Sequence, residues 1–216
     1  MEIRILGPLE VLESGQALDL GGAKQRAALT LLALNANRVV GREQLIDALW
    51  DGGAPETARK AVQVHVSQLR KLLGHERIET RPPGYVLRLA ADELDLSRCE
   101  RLAEAGRPDE ALALWRGEPL ADFAGRPFAR AEIARLEELR LSCLEARIER
   151  DLAAGRHAAL VGELDGLTRE HPLREHLRAQ LMLALYRAGR QAEALEAYQA
   201  ARAALVGELG IEPGSR

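Results

Sequence analysis

One amphipathic run, from Pro55 to Gly74, constrains this chain more than any other stretch. At about 100° per residue, Ala58, Ala61, Val62, Val66, Leu69, Leu72 and Leu73 fall on one side of a helix, and Lys60, Gln63, Val64, Ser67, Arg70 and Lys71 fall on or near the other. The apolar arc requires a core to pack against. The polar arc has two readings, a solvated face or a surface that meets nucleic acid. Arg77 to Leu89 follows, reading as a β-hairpin that carries further basic residues and turns at Pro82-Pro83-Gly84.

Charge distribution bears on that choice. The chain has a net charge of −3, yet between residues 57 and 88 seven Lys/Arg stand against two Asp/Glu, a local +5. A basic island in an acidic chain is the electrostatic footprint of a small DNA-reading surface. Aromatics make up only 3% of the 216 residues, so the cores must be built from Leu, Ala and Val, which favours helices.

Upstream, Glu2–Leu6, Leu9–Glu13 and Gln16–Leu20 are short apolar segments separated by Gly7-Pro8 and Ser14-Gly15, the pattern of an antiparallel meander. Ala23–Asn35 reads as a helix with a stripe of Ala27, Ala28, Leu31, Leu32 and Leu34. Lys24, Gln25 and Arg26 lie in its first turn, where cations oppose the helix dipole; neutral surface is the first reading and a nearby anion the second. Asn35–Gly41 reads as a connector, Arg42–Trp50 as a short helix, and Asp51–Pro55 as the turn into the amphipathic run. Three helices followed by a hairpin form the pattern of a winged helix-turn-helix.

From about Asp92 the chain becomes Ala/Leu/Glu/Arg-rich with no strand signal, placing a boundary near Leu89–Leu94. Ala-Gly-Arg recurs from Ala105, Ala154 and Ala188, each time followed by a similar Ala/Leu pattern. The second interval, from 154 to 188, is the 34-residue period of tetratricopeptide hairpins. The first is longer, and residues 116–130 read as an inserted loop that accounts for the difference. Cys99 and Cys143 show no metal-ligand spacing and are expected to be buried thiols in a reducing compartment. No leader and no apolar run of the roughly 18–20 residues needed for a membrane span is present, so a soluble, cytoplasmic protein is expected.

Taken in order, Leu6–Leu9, Gly22–Ala27, Asn37–Val40, Gln44–Trp50, Val64–Leu73, Thr80–Tyr85, Trp115–Leu120 and Glu208–Gly214 resemble the SARP/AfsR-type bacterial transcriptional activators over nearly the whole chain. The resemblance implies a mainly α fold with small β elements. Residues 1–91 would form an OmpR/PhoB-like winged helix-turn-helix domain with an N-terminal antiparallel sheet and a C-terminal hairpin. Residues 92–216 would form an all-α, tetratricopeptide-like bacterial transcriptional activator domain.

The resemblance also implies that the third helix enters the major groove and the wing the adjacent minor groove. Base-edge contacts would fall to Gln63, Val64, Ser67 and Gln68, and backbone contacts to Lys60, His65 and Arg70, with Lys71 on the same polar arc. Arg81 would be the wing residue in the minor groove, and Tyr85 would sit beside a phosphate. On the helical wheel His65 falls within the apolar arc, so a core-packed imidazole and a DNA contact both stand. Ser67 and Gln68 occupy positions where relatives outside this group often carry Arg, which removes the strong bidentate Arg–guanine readout. Glu79, on the wing, is expected to face away from DNA.

The implied partners are double-stranded DNA bearing direct repeats, bound by head-to-tail copies through a heterologous contact, and RNA polymerase holoenzyme including its sigma factor. Neither a cofactor nor a metal is expected. The chain has no P-loop, HExxH, GxSxG or GxGxxG, so an enzyme is not expected. A second reading from another class is a peptide-binding adaptor that uses the concave face of the helical half and has no duplex affinity.

Overall fold

The structure is a computed structural model and describes residues 1–210 of the 216; the matching text from residue 211 onward lies outside the described residues. The chain forms two compact units, residues 1–140 and 141–216.

The first unit opens with β1 (Glu2–Arg4), β2 (Glu10–Glu13) and β3 (Gln16–Ala17), the antiparallel meander the turn signals predict, with Ile3 opposite Val11. Then come α1 (Ala23–Leu34), β4 (Val40–Gly41), α2 (Arg42–Trp50), α3 (Ala58–Leu73), β5 (Ile78–Arg81) and β6 (Gly84–Leu87). The amphipathic run is helical only from Ala58, because Pro55–Thr57 form the turn before it. Its apolar arc is the packed one: Ala58, Val62, Val66, Leu69 and Leu73 are buried, while Ala61 and Leu72 are half-buried at its margins. Helix α1 is buried at every position from Ala27 to Ala33, since it packs against both α2 and α3.

The stretch read as a connector holds a strand. β4 pairs antiparallel with β6, giving a second sheet in the order β4-β6-β5. β6 is therefore a central strand, and all four of its residues are buried. Gly84 is required there: a Cβ at this position would sit 1.7 Å from the Val40 carbonyl oxygen. Asn37, at φ 65°, extends the pairing by donating from its backbone N–H to Leu87 O at 2.8 Å and from Nδ2 to Leu89 O at 2.9 Å.

After the second sheet come α4 (Asp95–Glu104), α5 (Pro108–Leu112), a 3-10 turn (Ala121–Phe123) and α6 (Pro127–Ala153). Asp95, 1% exposed, accepts hydrogen bonds from the backbone N–H groups of Ile5, Leu6 and Leu96 at 2.8–2.9 Å. Burial pushes its carboxyl above the usual carboxylate range against those bonds. The loop expected over residues 116–130 ends at Arg126, because residues 127–130 open α6, and the loop is anchored at several points. Leu120 and Phe123 are buried, Arg116 N–H donates to Leu6 O at 2.8 Å and Leu120 N–H to Ile5 O at 3.1 Å. Arg126 donates to Ala48 O at 3.0 Å and pairs with Asp51 at 3.2 Å. Long-range bonds of this kind have no local sequence signal, and they tie the segment to Ile5 and Leu6, just after β1, and to the end of α2.

The second unit contains the remainder of α6 with α7 (His157–Glu170), α8 (Glu175–Arg187) and α9 (Gln191–Leu209). Leu141, Ile148, Leu152, Leu160, Leu164, Leu177, Leu181 and Leu185 form its core. Repetition of Ala-Gly-Arg is structural. At Gly106, Gly155 and Gly189, with φ of 66°, 82° and 79°, the chain leaves one helix for the next. Each glycine N–H donates three residues back and each following arginine N–H five residues back, as with Gly189 to Tyr186 O at 3.1 Å and Arg190 to Leu185 O at 2.9 Å. This is the Schellman stop, whose left-handed position glycine fills without a Cβ penalty. Cys99 and Cys143 are buried, as expected of them. Among the described residues no helix is long and apolar enough to cross a membrane.

Candidate nucleic-acid interface

Helix α3 and the β5–β6 hairpin hold the residues singled out on the sequence, and the structure divides them by what each side chain already touches. On α3, Lys60, Gln63, Val64, Ser67, Gln68 and Lys71 are exposed. Val64 is 48% exposed, an apolar group left in solvent between polar neighbours. A branched apolar residue at the centre of such a face suits contact with a thymine methyl group.

Arg70 is held differently. Its Nε donates to Ile78 O at 2.7 Å and its Nη2 to Thr80 Oγ1 at 2.8 Å, while its guanidinium lies 5.9 Å from the Tyr85 ring centroid. These bonds fasten the first wing strand to α3. Tyr85, only 4% exposed, sits opposite Thr80 on the central strand, with Arg42 on its ring at 5.8 Å. Its ring thus belongs to the core beneath Arg70 and Arg42.

His65 is half-buried, with its Nδ1 enclosed and without a hydrogen-bond partner in the structure. Burial, and secondly the charge of Lys24, push its imidazole below the ordinary value, with a hydrogen bond to Gln68 opposing them. These causes disfavour the charged form of His65, which is half-buried while its neighbours Val64 and Ser67 are exposed. The cations of the first turn of α1 have partners that answer their unfavourable place in the dipole: the Lys24 ammonium lies 4.0 Å from the Trp50 ring centroid, and Arg26 pairs with Asp122 at 2.7 Å.

On the wing, Glu79 accepts from Arg81 Nε at 2.9 Å and from Arg88 Nε and Nη2 at 3.0 Å. Those bonds, Arg88's first, hold its carboxyl down at about 2. Residues alternate across a strand, so Thr80 turns toward Arg70 while Glu79 and Arg81 take the other face. Sequence reasoning missed this clasp because Arg88 meets Glu79 diagonally across the hairpin, nine residues along the chain.

The basic island is accordingly smaller than its charge count. Arg59 pairs with Glu43 at 2.7 Å, Arg77 with Glu93 at 2.7 Å, and Arg81 and Arg88 with Glu79. Arg70 is spent on the wing backbone. Of the seven cations, Lys60 and Lys71 alone have no ion pair or hydrogen bond among the described residues.

In the second unit, a groove of about 840 Å³ runs between α7, α8 and α9, past Asp165, Arg169, Arg178, Glu193, Glu196 and Ala197. Arg190 and Glu193 at its edge pair with each other, and so do Arg169 and Asp165. Among the described residues, no cluster of three or more His, Cys, Asp or Glu is placed to hold a metal.

Comparison with known proteins places both parts of the chain. Residues 85–216 match the family model described as bacterial transcriptional activator domain, and residues 15–87 the model described as transcriptional regulatory protein, C terminal. The chain is 43% identical to the regulatory protein AfsR of Streptomyces coelicolor over 97% of its own length and 22% of that protein's. It is 40% identical to the regulatory protein DnrI of Streptomyces peucetius, covering all of this chain and 89% of that protein. Among solved structures, Mycobacterium tuberculosis EmbR, determined in complex with a low-affinity phosphopeptide, aligns with a TM-score of 0.89 at 37% identity, over 99% of this chain and 62% of that one. The chain thus spans about a fifth of AfsR and most of DnrI.

Proposed function

The chain belongs to the SARP-type bacterial transcriptional activators, and on that premise we propose that it binds duplex DNA sequence-specifically and activates transcription without catalysis of its own. Residues 1–91 read the DNA and residues 92–216 support assembly and contact with the transcription machinery, in the cytoplasm at the nucleoid. The observation that carries this reading is the uncommitted face of α3, where Lys60 and Lys71 flank Gln63, Val64, Ser67 and Gln68, all exposed beside a wing fastened to the same helix by Arg70.

The two lysines act as phosphate anchors, and the residues between them meet base edges in the major groove. Arg81 reaches the minor groove from the wing. With so few free cations, one copy binds weakly and in a salt-sensitive manner. Head-to-tail copies on direct repeats multiply that affinity through effective concentration, and the bound pair recruits RNA polymerase holoenzyme through its sigma factor.

Selection of bound duplexes from a random pool tests the reading. Recovered direct repeats support it. Recovery of no enriched sequence, with no duplex affinity even at low salt, overturns it and leaves the groove of the second unit as the functional surface of an adaptor.

A further inference from the structure

The arginines of the wing are occupied before any DNA arrives. Arg81, whose side chain is 60% exposed, bonds through Nε to a Glu79 carboxylate that also accepts a bidentate pair from Arg88. Glu79 lies on the wing face away from the Arg70–Thr80 brace, so it does not hold the hairpin to α3; Ile78 O and Thr80 Oγ1, which accept from Arg70, do that. What it does is present two carboxylate oxygens to two arginines, as a backbone phosphate would present its own.

We propose that Glu79 is an internal counter-ion of the wing, which competes with DNA phosphates for Arg81 and lowers affinity for duplex of arbitrary sequence. This rests on the DNA-binding reading and adds to it a residue that sets specificity by weakening the unspecific component. Ion pairs this exposed are weak and exchange readily, so a phosphate or a narrow minor groove held in place by correctly bound α3 residues displaces the carboxylate. A random duplex, engaged only through Lys60 and Lys71, does not hold Arg81 long enough to replace Glu79. The arrangement also accounts for an acidic residue in a region otherwise rich in arginine, where the sequence alone suggested only that it should turn away.

The full chain, titrated by fluorescence anisotropy with a random-sequence duplex across a salt series, tests the proposal. Glu79→Gln keeps the shape and removes the charge. It is expected to bind random duplex severalfold more tightly than wild type, with the slope of log affinity against log salt steeper by about 0.9, one phosphate contact. Arg81→Ala in the wild-type background is expected to leave the random-duplex slope unchanged, whereas in the Glu79→Gln background it removes the gain. Equal or weaker binding by folded Glu79→Gln overturns the proposal, because it makes Glu79 neutral or an organiser of the wing. Should that variant fail to fold, Arg81→Ala decides alone: loss of a full contact from the wild-type slope shows that Arg81 was already available. Wild-type protein with no duplex affinity at any salt removes the DNA-binding reading itself, a result distinct from either of these.

Discussion

On α3, Lys60 and Lys71 stand in solvent with no ion pair among the described residues, whereas on the wing Arg81 and Arg88 close on one glutamate and Arg70 reaches across to hold the strand. Both regions are net positive on the sequence, with four Lys/Arg and no acid over residues 58–73 and three Arg against one Glu over residues 77–88. The difference teaches that formal charge and available charge are separate quantities. A helix projects neighbouring side chains outward, and α3 has no acidic residue along its length, so its lysines stay uncommitted. A two-stranded ribbon brings residues of distant sequence positions onto one face, and there a single carboxylate quenches two cations.

The comparison is broken most severely by removing what holds α3 in place. Leu69 is fully buried beneath the exposed face, and Leu69→Ala is expected to cost about 2–5 kcal/mol by thermal or denaturant unfolding. Unchanged stability would mean that the apolar and polar arcs are not divided as described. Arg70→Ala comes next. It removes two charge-assisted bonds to β5, about 1–2 kcal/mol for a half-buried donor, and is expected to speed hydrogen exchange of the Ile78–Arg81 amides while leaving the second unit unaffected. Were Arg70 a phosphate anchor alone, the wing amides would exchange at the wild-type rate. Smallest in stability is Val64→Ala, below about 0.5 kcal/mol at an exposed site. Its effect is expected in base preference, read by repeating the duplex selection, and an unaltered consensus would take Val64 out of the reading surface.

Much of this was legible in the residues themselves. The period of the Pro55–Gly74 run separates core from surface, and buried Val62, Val66 and Leu69 against exposed Gln63, Val64 and Ser67 match that division. Ala-Gly-Arg marks three helix stops because the Schellman geometry is local and demands glycine at one position. Less legible was whatever depends on pairing at a distance. Tyr85 looks exposed next to a Pro-Pro-Gly turn, yet the short β4 strand makes β6 central and buries it. Arg70 falls on the polar arc of the wheel, but a long guanidinium also reaches the strand that folds back beside it. The segment 116–130 reads as a loop from its Gly and Pro content, while Arg116, Leu120 and Arg126 bond to Leu6, Ile5 and Ala48, between 78 and 115 positions away.

The central claim is that the exposed face of α3 supplies the free charge with which the chain grips duplex DNA. Its most direct test is the salt dependence of duplex affinity for the full chain and for Lys60→Ala with Lys71→Ala. The account predicts a linear fall of log affinity with log salt for wild type, and a slope shallower by about 1.8 in the double variant, roughly 0.9 for each lost phosphate contact. An identical slope in a double variant with unaltered melting temperature would contradict it.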